Sequence, residues 1–112
     1  MSRDTKMVKI VVFVPLSHAE AVRDAFAKAG AGNIGAYSHA SFSVRGTGRF
    51  KPLKGANPHI GTIGRVEEVE EERIEVVCSR DKVKVVIAAI RAVHPYEEVA
   101  LDIYPMISES DL

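Results

Sequence analysis

Tryptophan is absent from this 112-residue chain, cysteine occurs once, and no acid stands between Asp24 and Glu67. Each shortage excludes something. A single thiol, Cys78, can form no internal disulfide and supplies no Cys-based zinc cluster, and it fits a reducing, cytoplasmic setting. Phe42 and Phe50 alone make no stacking platform beside the basic residues, which argues against single-stranded nucleic acid. The formal net charge is zero, so no overall field draws the chain to nucleic acid or to a membrane surface. No apolar run approaches the roughly 20 residues that cross a bilayer, and the polar start MSRDTKM lacks the apolar core of a signal segment. The expectation is one soluble domain, residues 1–112, with its core at about 8–106.

The charges that are present are segregated. Lys28, Arg45, Arg49, Lys51, Lys54 and Arg65 fall in the acid-free interval, and EEVEEERIE (67–75) then gathers six glutamates. A basic loop followed by an acidic strand can pair with itself, pair with a second copy, or offer a local anion site.

Periodicity supplies the elements. MVKIVVFVP (7–15) reads as a buried strand closed by proline. Ser17 and Glu20 have the spacing of a capping box, and Val22, Ala25, Phe26 and Ala29 recur at helical spacing up to Gly30 and Gly32. RIEVVCS (73–79) is a second strand, with Asp81 as cap for the apolar stripe Val83, Val86, Ile87, Ile90 and Val93. A shift of 64 residues superposes Ile10 on Ile74, Val12 on Val76 and Phe26 on Ile90. YSHASFSV (37–44) and EEVALDIYP (97–105) follow as further strands. Two β-α-β units in one small domain predict an α+β, ferredoxin-like split β-α-β sandwich. Both helices then cover one face of an antiparallel sheet, strands 1 and 3 lie in the middle, and the bare face favours a homo-oligomer.

Four places can carry chemistry. Residues 46–64 hold five glycines and two prolines, predicting a long loop and forbidding a central strand there. It either wraps an anion, with Arg45, Arg49 and Lys54 supplying charge, or folds over a neighbour as a hairpin excursion; the second is favoured because no phosphate-loop spacing is present. His18 belongs to a helix surface, whereas His39, His59 and His94 sit in separate segments and are the candidates for a metal. Cys78 has the parity of a buried strand residue, and the glutamate run reads as a solvated, partly edge strand whose carboxylates splay to both faces. HPYEE (94–98) ends the second helix, because Pro95 disfavours helix at His94 and lacks an amide donor.

AGAGNIGAYSHASFSVRGTGRFKPLKGANPHIG, with VEEVEEERIE and HPYEEVALDIYP, resembles the domain inserted in many bacterial members of the NGG-one-interacting factor three (Nif-three-like) family, also known as type 2 GTP cyclohydrolase I, and its YqfO-like stand-alone form. The resemblance implies a CutA/PII-like fold and, as in CutA, a trimer, with a dimer as the other choice. The family's dinuclear metal site lies in two flanking halves that are absent here, so the cyclohydrolase activity is not implied. Where the insert often reads Y-x-x-C-S-F, Ala40 replaces the cysteine, so no metal or redox role of that cysteine is expected. The resemblance also sets the 46–64 loop and the last strand at an interface or shallow cleft, with Arg45, Arg49, Lys54, Asn57, His59, His94, Tyr96, Glu97 and Glu98 as candidate ligand- or interface-binding residues. The expected role is a non-catalytic module that binds a partner protein or a small anionic ligand at subunit junctions, without a resident cofactor. The alternatives are a CutA-type divalent-metal binder and, last, a hydrolase of a phosphorylated ligand, for which no nucleophile–base pair stands out.

Overall fold

The computed structural model describes residues 6–112; most of the polar start that speaks against a signal segment, residues 1–5, lies outside them. The elements run β1 (Met7–Pro15), α1 (Leu16–Lys28), β2 (Phe42–Phe50), β3 (Glu67–Ser79), α2 (Val83–Val93) and β4 (Leu101–Pro105). The sheet order is β2-β3-β1-β4, and every neighbouring pair is antiparallel. This is the ferredoxin-like arrangement, with β1 and β3 central as expected.

The core sits where the alternation of β1 and β3 meets the helical stripes. Ile10, Val12 and Val14 pack with Ile74, Val76 and Cys78 from the sheet, and with Val22, Phe26, Val86 and Ile90 from the helices. Each fully buried side chain of this size contributes about 1.5–3 kcal/mol relative to exposure. The opposite face carries no helix, and β1–β3 register places Phe13 beside Arg73 and Pro15 beside Glu71 there.

Several local expectations give way to tertiary context. The Ser17–Glu20 capping box does not form: α1 starts straight after Pro15, which holds the N-cap position, and Ser17 Oγ lies 2.7 Å from His18 Nδ1. The proline brings the chain from strand to helix in one residue, so Ser17 is already inside the first turn. Asp81 does not cap α2 either. It belongs to a 3₁₀ turn, Arg80–Lys82, and accepts from Ser79 Oγ at 2.7 Å. The strand read over 37–44 starts instead at Phe42 and continues to Phe50, taking in Gly46 and Gly48 from the supposed loop. Glycine is tolerated because β2 is an edge strand. The glutamate run is not an edge: residues 67–79 form one 13-residue strand in the sheet interior. Basic partners on β1, β2, α1 and β3 itself offset that placement for three of the carboxylates, Glu68, Glu72 and Glu75. β4 starts at Leu101, later than the 97–105 reading.

The β2–β3 ribbon projects beyond the helices. The Cα radius of gyration is 15.6 Å and the long axis 49 Å, against about 13 Å for a compact domain of this length. Phe42 and Val44 remain 66% and 48% exposed on it.

Candidate functional site

The helix-free face carries a cleft of about 810 Å³ whose lining comes from β1, β2, β3, the loop after β2 and the segment 96–100. Two turns of chemistry build it. His94 ends α2, in extended conformation (φ −76°, ψ 135°), with its amide still donating to Ile90 O at 2.9 Å. The chain is thereby turned back across the end of β1, which brings Tyr96 over the cleft. The loop from residue 51 is anchored by Pro52, buried, whose carbonyl accepts from Gly64 N at 2.8 Å, and by Asn57 N, which donates to Glu97 Oε2 at 2.8 Å.

His94 is held rather than available. Its Nε2 lies 2.7 Å from Phe13 O and therefore carries the proton, while Nδ1 accepts from Tyr96 N at 3.1 Å. Both ring nitrogens are spent on the backbone and the residue is 7% exposed. Burial pushes its pKa below the ordinary histidine value, the bond to Phe13 partly opposes this, and the charge of His18 adds to the lowering.

Around Tyr96 the rings gather. Its centroid is 5.2 Å from His94, 5.6 Å from Phe50 and 6.4 Å from His59, and His59 in turn meets His18 edge-on at 6.0 Å. Tyr96 OH donates to Glu71 Oε2 at 3.2 Å. Glu71 is 8% exposed; burial raises its pKa, and the Tyr96 bond offsets part of that rise. The Tyr96 phenol is pushed up to about 12 by its burial, by the Glu71 charge and by the bond between them. The Glu71 carboxyl lies directly over Gly48: a Cβ there would stand 2.1 Å from Oε1 and 2.4 Å from Cδ. Gly48 thus leaves the Glu71 carboxyl its present place, and a side chain there would have to displace it.

The expected site residues sort into four groups. His59, Tyr96, Glu97, Glu98 and Lys54 line the cleft, and Asn57 closes its rim through Glu97. Arg45 and Arg49 line it as members of β2, yet register pairs them with Glu72 and Glu68, on the side of the sheet opposite Glu71. Arg49 Nε is bonded to Glu68 Oε2 at 2.7 Å. His94 supports Tyr96 from behind. His39 stands apart, with a positive φ of 62° and its Nδ1 2.9 Å from Ser38 Oγ. It lines a separate hollow of about 230 Å³ with Ala40, the residue at the family's cysteine position. Among the described residues no three His, Cys, Asp or Glu side chains come together to hold a metal. Sequence reasoning missed Glu71, Gly48 and Phe13, and it left His18 on the surface. The usable signal was strand parity, which puts Glu71 on the helix-free rank with Arg73, but parity does not tell a buried carboxyl from an exposed one.

The comparisons with known proteins agree on kinship. No protein-family model matches the chain. It is 53% identical over 98 residues to the GTP cyclohydrolase 1 type 2 homolog of Bacillus subtilis, covering 88% of this chain and 26% of that protein. It is 48% identical over 105 residues to the homolog from Halalkalibacterium halodurans, covering 94% of this chain and 28% of that protein. The crystal structure of a Bacillus cereus protein related to NIF3 superposes with a TM-score of 0.82 at 48% identity, over 96% of this chain and 27% of the other. Its homologues are NIF3-related proteins. The fold is CutA/PII-like: CutA from Xylella fastidiosa matches at a TM-score of 0.70 with 14% identity, over 96% of this chain and 90% of that one. PII of Arabidopsis thaliana, in a citrate-bound structure, matches at 0.60 with 17% identity, over 95% of this chain and 80% of that one. The aligned part of the chain spans about a quarter of the length of the curated relatives it matches. The cleft, the Glu71–Tyr96 pair and the His94 support all lie within that span.

Proposed function

We propose that the domain is a non-catalytic binding module that works as a homo-oligomer and takes a small ligand or a partner segment in the helix-free cleft. The observation that carries this reading is the cleft itself: about 810 Å³, walled by rings and aliphatic side chains, with a few polar groups converging on it. The oligomer is supported by the ribbon, whose exposed Phe42 and Val44 and unpaired β2 edge have no cover among the described residues. Cytoplasmic placement is supported by the lone buried thiol and by the lack, among the described residues, of a helix able to cross a membrane. The divalent-metal alternative is less supported, since His94 spends both nitrogens on the backbone and His39 does not join the pair His18 and His59. The cyclohydrolase name belongs to proteins more than three times as long, and no activity is taken from it.

Native mass spectrometry on protein purified without chelator tests the reading. An oligomer that carries or accepts one small molecule per cleft is the expected result. A monomer that retains and accepts nothing would overturn it.

A further inference from the structure

We propose that the cleft is a receptor for an organic cation, an ammonium or guanidinium group on an apolar stem, with Glu71 as its counter-ion. The inference rests on the reading of the cleft as the binding surface and names the chemistry of its ligand.

The argument starts from charge partners. Along β3, Glu68 pairs with Arg49, Glu72 with Arg23, and Glu75 with both Lys9 and Arg73. Glu71 is among the most buried of these carboxylates, yet it takes part in no ion pair among the described residues. The basic residue beside it on the same rank, Arg73, is turned away: its Nε bonds Glu75 at 3.0 Å and its guanidinium lies over the Phe13 ring at 5.7 Å. The Tyr96 hydroxyl at 3.2 Å is longer than the 2.7–2.8 Å usual for such bonds, and a hydroxyl balances no charge. A buried carboxyl without a cation is the costly state in a fold, and it is relieved by a ligand that brings the missing charge.

The surroundings suit such a ligand. Phe50 and Tyr96 put rings on the cleft besides Phe13, which Arg73 already covers, and a cation held near rings is attracted by their quadrupoles. Glu97 and Glu98 add negative charge at the rim. Five cations also line the cleft: Lys51, Lys54, Arg45 and Arg49 are exposed, where water and salt screen them, and the half-buried Arg73 is bonded to Glu75, whereas Glu71 acts from a buried floor. Gly48 is the second mark of a built site, because any side chain there would evict the carboxyl. Burial raises the Glu71 pKa, so a bound cation draws the carboxyl into its ionised form, and affinity must fall as acid protonates it.

Two-dimensional NMR titration of the full chain with hexylammonium, hexanol and hexanoate separates the possibilities, since the three probes share a stem and differ in charge. Hexylammonium is expected to shift the Gly48 and Tyr96 amides and to bind at least about tenfold tighter than hexanol, the scale of one close charge pair, with hexanoate weakest. Glu71→Gln should erase the difference between hexylammonium and hexanol. If that variant does not fold, the parent supplies the same test, because its hexylammonium affinity should fall on acidification while that for hexanol stays level. Hexanol or hexanoate binding as tightly as hexylammonium, or a preference that survives Glu71→Gln, would leave a binding cleft but overturn the cation receptor. Silence from all three probes would overturn the receptor and count against the cleft as a binding surface as well.

Discussion

Gly46 and Gly48 stand two residues apart on β2, on the same rank, and make a matched pair of probes. A Cβ at Gly46 meets nothing within 4 Å, whereas one at Gly48 lands 2.1 Å from Glu71 Oε1. In a strand, replacing glycine by alanine removes backbone freedom from the unfolded chain and is worth about 0.5–1 kcal/mol of stability where space allows. Gly46→Ala should gain about that much. Gly48→Ala gains the same term but must swing the Glu71 carboxyl off the strand. That breaks the bond to Tyr96, worth about 0.5–1.5 kcal/mol, and leaves a buried polar group to be resolvated or orphaned at about 1–3 kcal/mol. The two variants should therefore differ by about 2–3 kcal/mol, with Gly48→Ala the less stable. Urea unfolding at one fixed protomer concentration reads the difference as a shift in midpoint, and holding concentration constant keeps any association term equal.

A third variant closes the cycle. In a Glu71→Ala background the carboxyl is gone, and Gly48→Ala should then behave like Gly46→Ala. If the two glycine substitutions were equivalent in the parent, the carboxyl would not be seated on Gly48, and the cleft would lose its floor.

Further outcomes follow from the same groups. His94→Ala should cost about 2–4 kcal/mol in urea unfolding, because Phe13 O and Tyr96 N both lose their partner in a buried setting. A destabilisation below about 0.5 kcal/mol would mean that water replaces the ring. The pH dependences of Glu71 and His94 have opposite signs. Glu71, raised by burial, holds its proton longer folded than unfolded, so its contribution is lost as pH rises above about 4.5 towards the folded value. His94, lowered by burial, binds its proton less readily when folded, so its contribution is lost as pH falls below about 6.5. Glu71→Gln should thus be more stable relative to the parent at neutral pH than at pH 4, which paired melting curves would show; a constant offset would refute it. Cys78, 2% exposed and with its thiol pKa raised by burial, should react with a thiol reagent only as fast as the fold opens. Labelling at the rate of a free thiol in native buffer would contradict its place in the core.

The architecture was legible because it depends on periods. Alternation in MVKIVVFVP and the helical stripe from Val22 to Phe26 each specify a buried face, and the 64-residue repeat shows that two such units share one sheet. The misread places are those where a local rule met a tertiary one. Ser17 has the right neighbours for a cap, but Pro15 had already turned the chain. Gly46 and Gly48 read as loop because glycine weakens strands, yet an edge strand tolerates it and at 48 it leaves the Glu71 carboxyl its place. YSHASFSV has strand composition through Tyr37, but Gly32 N bonds Val77 O and Ala40 N bonds Gly32 O, which commits residues up to Ser41 to a turn against β3.

The site was less legible because charge pairing can be counted in a sequence but not assigned. Arg45 and Arg49 looked like free cations beside a glycine-rich loop, an arrangement suited to an anion. Register sets Arg49 against Glu68, and Arg45 lies across from a Glu72 already bonded by Arg23 of α1. Among the described residues the acidic strand still holds Glu71, a buried carboxyl that takes part in no ion pair. A chain of zero net charge can therefore carry a strongly directional site, because the sum is neutral while the floor of one cleft is not. The anion expected for this surface and the cation proposed here differ in sign, and a probe series differing only in charge is therefore the decisive comparison.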